Sequence, residues 1–533
     1  MSQIADIKNA GSNIYANLTV IPKSKFSQIG LVGELEQNDM KPERCFLRPN
    51  YEISQVITGL WQVADLEKDG SDLDLEAAAE NLVEYALEGF DTFDMADHYG
   101  SSELISGRAR EMLQQRHPHS DRTPKARFHT KWCPKPGDMT PKVVRDAIDE
   151  RLDRLGVESV DLLQFHWWTY QHPGYLDAIE GLMMAHESGR IANIGLTNFN
   201  ADHLWVLLGQ KIPIVSNQVV VSMLDQRALG EMSDVAMKHD VKLLAYGVLA
   251  GGFLSERWLN KPEPSDSELN DWSKMKYKRF IDETGGWENL QSVLRVLKSV
   301  SLRYGVSVAN VATRWVLDQP AVSAVIIGAR LTESQYRQDN LAIFSFVLDE
   351  EDRSAIAESM VGTSRLRGDC GDEYREPPFL TASGDLSHHL DSLPSVYQPI
   401  AVPGKSDRIQ VFSGTKWEKI CGHSRAVRIG NRILVSGTTA THGRDEIVCR
   451  GDARGQAVYI LDKIKAGVTS LGGSLSDIVR TRVYLQNAQD CEAVSLVHGR
   501  YFGEVCPANA TFEISQLIGD YLVEIEAEAI IEE

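Results

Sequence analysis

The sequence predicts an α/β chain in which a closed (β/α)8 TIM barrel is followed by a smaller α+β domain. Three observations lead there. Short apolar runs alternate with amphipathic helical segments, eight times over about 300 residues. No Gly-x-Gly-x-x-Gly follows the first run, which disfavours a doubly wound dinucleotide fold. Near Gly362 the alternation stops, and after a stretch rich in Gly, Pro, Ser and Asp a different mixture of hairpin, helix and strand begins.

The predicted barrel strands cover 57–63, 91–95, 127–132, 160–166, 194–198, 215–220, 243–248 and 324–328, with helices between them such as 142–155, 175–188 and 226–239. The helix before the second strand is the best marked. Ala78, Leu82, Tyr85 and Ala86 share one 3.6-residue face, Ser71 with Asp74 offers a capping box, and Gly89 offers a C-terminal stop. Residues 252–287, rich in Trp, Lys and Glu, form an insertion after the seventh strand, on the rim where insertions shape substrate access. The expected organisation is an arm at 1–44, the barrel at 45–362, a linker at 363–407 long enough to hold some structure, and the second domain at 408–533. That domain is predicted to contain a hairpin at 426–429 and 432–436, helices at 453–471 and 493–502, and strands at 479–485, 510–514 and 522–531.

A chain of 533 residues calls for two domains. Its 55 basic residues against 75 acidic ones leave a net charge of −20, which argues against nucleic acid or an anionic membrane as partner. The longest apolar run, 243–254, is broken by glycines and too short to span a bilayer. The seven cysteines contain no CxxC pair, so reduced thiols are expected, without a disulfide frame or a metal site. No secretory signal is evident at the start; the expected setting is cytoplasmic, with an organelle leader left open.

Chemistry gathers at predicted strand ends. The second strand delivers Asp94 and, five residues on, Tyr99; Lys131 ends the third strand and His166 the fourth. In a barrel such ends converge on one mouth. A lysine beside a phenol lowers its pKa from about 10, and a carboxylate holds the ammonium in place. His166 is then free to orient a carbonyl or assist the proton. Any one of these residues alone reads as an ordinary strand end; four on adjacent strands read as a proton-donating site.

Residues 50–350 resemble the aldo-keto reductase family. The stretch from Gly89 through Asp94 and Tyr99 to Glu103, and that from Arg151 to His166, are similar to its two signatures. The resemblance implies a catalytic tetrad of Asp94, Tyr99, Lys131 and His166, with Tyr99 as general acid, and NADP(H) as cofactor. It also implies that Thr197, Asn198 and Gln218 hold the carboxamide and that the Tyr246 ring stacks on the nicotinamide, with Trp61 nearby. Gly247, Leu249 and Gly251 fall in the loop expected over the pyrophosphate, where backbone N–H groups approach closely. Gly328, Arg330, Ser334, Gln335 and Asn340 fall at the adenosine-phosphate end, where the Arg330 fork suits a 2′-phosphate. The implied activity is reduction of an aldehyde or ketone to an alcohol.

Residues 408–533 resemble the Rid (YjgF-like) family, a trimer-forming α+β fold of the chorismate mutase-like kind. The similar stretches start at His423, Val435, Tyr501, Pro507 and Val523. The implied pocket residues are His423, Asn509 and Glu524. Imine hydrolases of that family carry Arg where this chain has Asn509, so a role in assembly or ligand binding is expected, with the whole protein a trimer. Two alternatives are a two-step enzyme that hydrolyses an imine and then reduces the carbonyl, and a nucleotide-binding redox sensor without turnover.

Overall fold

The computed structural model describes residues 40–68, 73–116, 125–329, 331, 336–361, 364–375, 393 and 395–532. Eight parallel strands close into a barrel: β1 (Val56–Gly59), β2 (Thr92–Asp94), β3 (Arg127–Trp132), β4 (Leu162–Phe165), β5 (Ile194–Thr197), β6 (Ile214–Val220), β7 (Lys242–Tyr246) and β8 (Val322–Gly328). β8 pairs in parallel with β1, Gly328 opposite Gly59, and this pairing closes the ring. A doubly wound sheet is therefore ruled out.

Five strands end earlier than the apolar pattern implied, and the backbone explains three of the stops. Asn198 and Gly247 adopt left-handed φ of 58° and 67°, which no strand can continue through. The chain turns helical at Trp61, shortening the first strand. Helix α1 (Leu75–Leu87) starts where Asp74 Oδ1 accepts the N–H groups of Glu76 and Ala77; the proposed partner Ser71 lies outside the described residues. Gly89, at φ 97°, follows its C-cap as expected. Helices α2 (Ser102–Arg116), α3 (Pro141–Leu155), α4 (Gly174–Glu187) and α5 (Ala201–Gly209) follow. The predicted helix 226–239 is instead a short 3-10 turn and α6 (Glu231–Lys238), broken at Gly230. The insertion after β7 folds into 3-10 turns and α7 (Trp272–Glu283).

A hairpin, Arg44–Arg48 with Tyr51–Ser54, precedes the barrel. Leu47, Tyr51 and Ile53 pack with the inward residues Ile57, Leu162, Leu244 and Ala324, forming a small core at the strand starts. The opposite end, where the strands finish, is left for the site.

The second domain is built on a mixed sheet. A short strand, Ile400–Ala401, leads into β9 (Arg408–Val411), β10 (Ala426–Ile429), β11 (Arg432–Thr438), β14 (Val523–Ile530), β12 (Ile478–Leu485) and β13 (Ala508–Glu513), in that spatial order. β9 had no counterpart in the sequence reading. Helices α8 (Ala453–Ser470) and α9 (Cys491–Phe502) accompany the sheet. α8 is buried along almost its whole length, because its far side meets the barrel: Val206 of α5 belongs to the second domain's core. All seven cysteines are free. No helix among the described residues is long and apolar enough to cross a membrane.

Candidate active site

The ends of β2 and β3 bring Asp94 and Lys131 together in the interior. Lys131 Nζ lies 2.5 Å from Asp94 Oδ2 and donates to the Met95 carbonyl at 3.0 Å. Both side chains are buried, so each charge depends on the other and on hydrogen bonds for its stability. Asp94 Oδ1 accepts from Gln164 Nε2 at 2.9 Å and from Gln218 Nε2 at 2.7 Å. Gln164 was not singled out from the sequence. It stands two residues before His166, and period-two alternation puts both on one face of the strand.

The Lys131 ammonium also sits 4.7 Å from the centroid of the Tyr99 ring. Trp61 and His98 flank that ring edge-on at 4.9 and 4.8 Å. The expected lowering of the phenol does not occur. Burial, reinforced by the Asp94 charge, holds Tyr99 well above its ordinary pKa of 10.0. Because Lys131 is already paired with Asp94, the two present little net positive charge to the ring.

His166 follows β4, and its backbone N–H donates to the Trp132 carbonyl at 3.0 Å. Its Nδ1 is 3.2 Å from the Thr197 carbonyl, which can only accept, so the ring is protonated at Nδ1. Nε2 is buried with no partner. Burial, helped by the charge of Arg375, keeps the ring well below its usual 6.5 and hence neutral.

Around these residues stand those expected to hold a cofactor. Thr197 Oγ1 donates to the Gln218 carbonyl at 3.2 Å, and Tyr246 Oη donates to Asn198 Oδ1 at 2.8 Å. Gln218 is turned toward Asp94 and Gln164. In the turn after β7, the N–H groups of Ala250, Gly252, Phe253 and Leu254 donate to carbonyls within 247–250, so they are engaged inside the turn itself. Gly251 packs against Tyr277 and Ser273 of α7. Leu249 caps that turn, Gly328 makes room for the Gln62 side chain, and Asn340 lies in the helix Tyr336–Leu341. Arg330, Ser334 and Gln335 lie outside the described residues.

The segment 364–375, read as linker, folds over this mouth. Glu373 is fully buried against Arg227, which is bidentate on Asp225, with Arg227–Glu373 at 2.8 Å. Burial alone would raise the Glu373 carboxyl, but Arg227 and Lys276 hold it below its ordinary value. Tyr374 Oη meets Tyr246 Oη at 3.1 Å and receives a hydrogen bond from Lys276 at 2.5 Å. Its ring stands edge-on to His166 at 5.7 Å and packs with Trp168 and Cys133. Arg375 donates to the Trp167 carbonyl at 2.6 Å. Asp97, His98 and Cys133 bring possible metal-ligand atoms within 4.8 Å of one another, but Asp97 is already engaged by His98 and by the Cys133 N–H.

Residues 55–360 match the model of the aldo/keto reductase family. The chain belongs to this family. Residues 415–531 match the model described as Endoribonuclease L-PSP. A RutC family protein of Pyrococcus abyssi is 34% identical over 117 residues, 22% of this chain and 92% of that protein, which marks the second domain as Rid-like. The NADH-specific methylglyoxal reductase of Escherichia coli is 23% identical over 327 residues, 57% of this chain and 94% of that one. Flagellar radial spoke protein 5 of Chlamydomonas reinhardtii is 30% identical over 181 residues, 30% of this chain; the match spans only 34% of that protein's length.

In the Rid-like domain the three expected pocket residues do not meet within one chain. His423 precedes β10, where it feels the charges of Arg425 and Glu418; Glu524, on β14, is raised by burial and countered by Arg425. Arg425 itself is buried, donating to the Gly437 carbonyl and Thr438 Oγ1. Asn509 pairs in register with Thr481, which pairs with Ala527, three residues along β14 from Glu524. That separates Asn509 from Glu524 by about 10 Å across the sheet and about 10 Å along it.

The segment over the mouth supplies a direct test of its seat. Gly371 has φ of +86°, and a Cβ there would lie 2.1 Å from the Asn198 carbonyl oxygen. Gly371→Ala is expected to cost at least about 1–2 kcal/mol from the left-handed backbone alone and to release the segment. Limited trypsin digestion should then cut at Arg375 much faster than in the wild type; equal cleavage rates and equal melting temperatures would contradict this seating.

Proposed function

We propose that the barrel reduces an aldehyde or ketone to an alcohol, using NADPH in preference to NADH. The observation that carries this reading is the buried Lys131–Asp94 pair beneath the Tyr99 ring, in a barrel of the aldo/keto reductase family. Two orphaned buried polar atoms support a ligand here: His166 Nε2 at the mouth and Gln62 Oε1, whose side chain packs beside Gly328. Thr197, Asn198, Gln218 and Tyr246 would hold the nicotinamide end, the last by its ring face. When bound, the cofactor supplies the hydride. The rest falls to the chain. Tyr99, kept protonated by burial and by Asp94, donates its proton to the carbonyl oxygen. The phenolate left behind lies beside the Lys131 ammonium, whose attraction the paired Asp94 carboxylate largely offsets. His166 offers a lone pair at Nε2, so it accepts from the product hydroxyl instead of donating to the carbonyl. Trp168 and Tyr374 exclude water around it.

The preference for NADPH rests on Arg330 in the sequence, where a guanidinium follows Gly328 and Ala329. The Escherichia coli relative, named as NADH-specific, represents the opposite outcome.

For the Rid-like domain we propose assembly. The outer face of its sheet leaves Ile429 and Leu434 exposed at a cavity of about 410 Å³ in which Arg480 and Arg482 face Glu526 and Glu528. Copies of the chain related as a trimer would cover that face. Arg425, the cation that acts on Glu524, is buried and spent on the Gly437 carbonyl and Thr438 Oγ1, and Asn509 is neutral, so hydrolysis of imino acids is not expected of the domain.

This reading is open to test at four points. Tyr99→Phe should lower kcat for aldehyde reduction about a hundred- to ten-thousand-fold with NADPH affinity nearly unchanged. In the wild type kcat should be level between pH 6.5 and 10.0, since His166 titrates below that window and Tyr99 above it; an inflection near pH 7 would remove one of them from its role. Fluorescence titration should find NADPH bound more tightly than NADH, with Arg330→Ala erasing the difference; equal wild-type affinities would defeat the assignment. Light scattering of the full chain should give a trimer, and freshly generated imino acids should release no ammonia above background. A monomer, or brisk release, would overturn the assembly role or the inactivity respectively.

A further inference from the structure

We propose that the Rid-like domain helps to build the nicotinamide site: Asp462 is a positioning residue that acts through His203 on the turn carrying Thr197 and Asn198. The inference rests on the nicotinamide reading above, and its test separates the two.

His203 on α5 and Asp462 on α8 are 2% and 5% exposed, and His203 Nε2 lies 2.7 Å from Asp462 Oδ2. The other carboxylate oxygen accepts the Tyr501 hydroxyl at 2.7 Å. His203 Nδ1 faces Asn200 Oδ1 at 2.7 Å, and this same atom accepts the His203 backbone N–H at 3.0 Å, which identifies it as the amide oxygen. Both ring nitrogens therefore face side-chain oxygens, one from each domain. Tyr170 lies flat against that ring, with centroids 3.3 Å apart and planes 6° apart, and its hydroxyl accepts the Asn200 N–H at 3.3 Å.

Asn200 is the N-cap of α5 and stands two residues beyond Asn198, whose left-handed φ of 58° needs support from its surroundings. The path from the second domain to the strand end is short: Asp462, His203, Asn200, Asn198. A buried hydrogen-bonded pair of this kind has one favourable arrangement, because displacing either member leaves the other's polar atoms buried without a partner. It therefore fixes the turn that presents Thr197 and Asn198, while Asp94 and Lys131 sit on other strands and Tyr99 on the loop after β2. Loosening it should affect cofactor binding more than proton donation, which reaches this turn only through the His166 Nδ1 bond to the Thr197 carbonyl.

The full-length chain should be titrated with NADPH and with NADH, and assayed at saturating NADPH. Asp462→Ala is expected to weaken NADPH about tenfold with kcat within threefold of wild type; Asp462→Asn, which keeps an acceptor for the ring, should stay within threefold in both. Asp452→Ala removes a different hydrogen bond across the same interface, from Trp205 Nε1 at 2.6 Å. It should lower the melting temperature without changing NADPH affinity. Asn200→Ser keeps a cap for α5 but cannot reach the His203 ring; it should weaken NADPH as Asp462→Ala does, and it decides the matter if Asp462→Ala fails to fold. Unchanged affinity in Asp462→Ala or Asn200→Ser, or equal weakening by Asp452→Ala, overturns the positioning role. A wild-type chain that binds neither nucleotide removes the nicotinamide reading itself, and this inference with it.

Discussion

A carboxylate placed at the inner end of β2 has no water to stabilise it, and much of the barrel mouth is arranged around that fact. Asp94 takes an ammonium on one oxygen and two side-chain amides on the other. Those donors come from β3, β4 and β6, so one buried charge ties four strands to a common point. Lys131 can stand under Tyr99 only because Asp94 neutralises it, and Gln218 is oriented by the same oxygen. Isolated burial of either ion would cost several kcal/mol, so the arrangement survives only as a set.

The barrel was legible because its requirements are local and periodic. Strands and helices repeat, and catalytic groups sit at strand ends where sequence spacing alone gathers them. Strand limits were less legible, since they depend on single backbone conformations such as those at Asn198 and Gly247. The sequence also misled on the phenol. A lysine near a tyrosine suggests a lowered pKa, but the lysine's charge is already matched by Asp94, and burial then decides the direction. Gln164 went unnoticed although its parity with His166 marked it, because an amide in an apolar strand has no chemistry of its own.

The segment 364–375 was the largest gap. It has no period, since its shape comes from tertiary partners: Arg227 for Glu373, Tyr246 and Lys276 for Tyr374, and the Trp167 carbonyl for Arg375. None of those pairings has a signature in the segment itself. The contact between the domains was hidden for the same reason, because α8 reads as an ordinary amphipathic helix until α5 is found against its outer face.

The family match ends at residue 360, yet the mouth continues to Arg375. Homology would therefore set the wrong cutting point for anyone dissecting this chain. A barrel excised at the family boundary would keep Arg227 and Asp225 but lose Glu373, and would leave Tyr246, His166 and Trp168 facing solvent on the side Tyr374 now covers. The excised piece would differ from the native barrel in hydration and in dielectric at its reacting groups. Its behaviour would describe a different site, so the minimal unit that preserves the chemistry is longer than the minimal unit that preserves the fold.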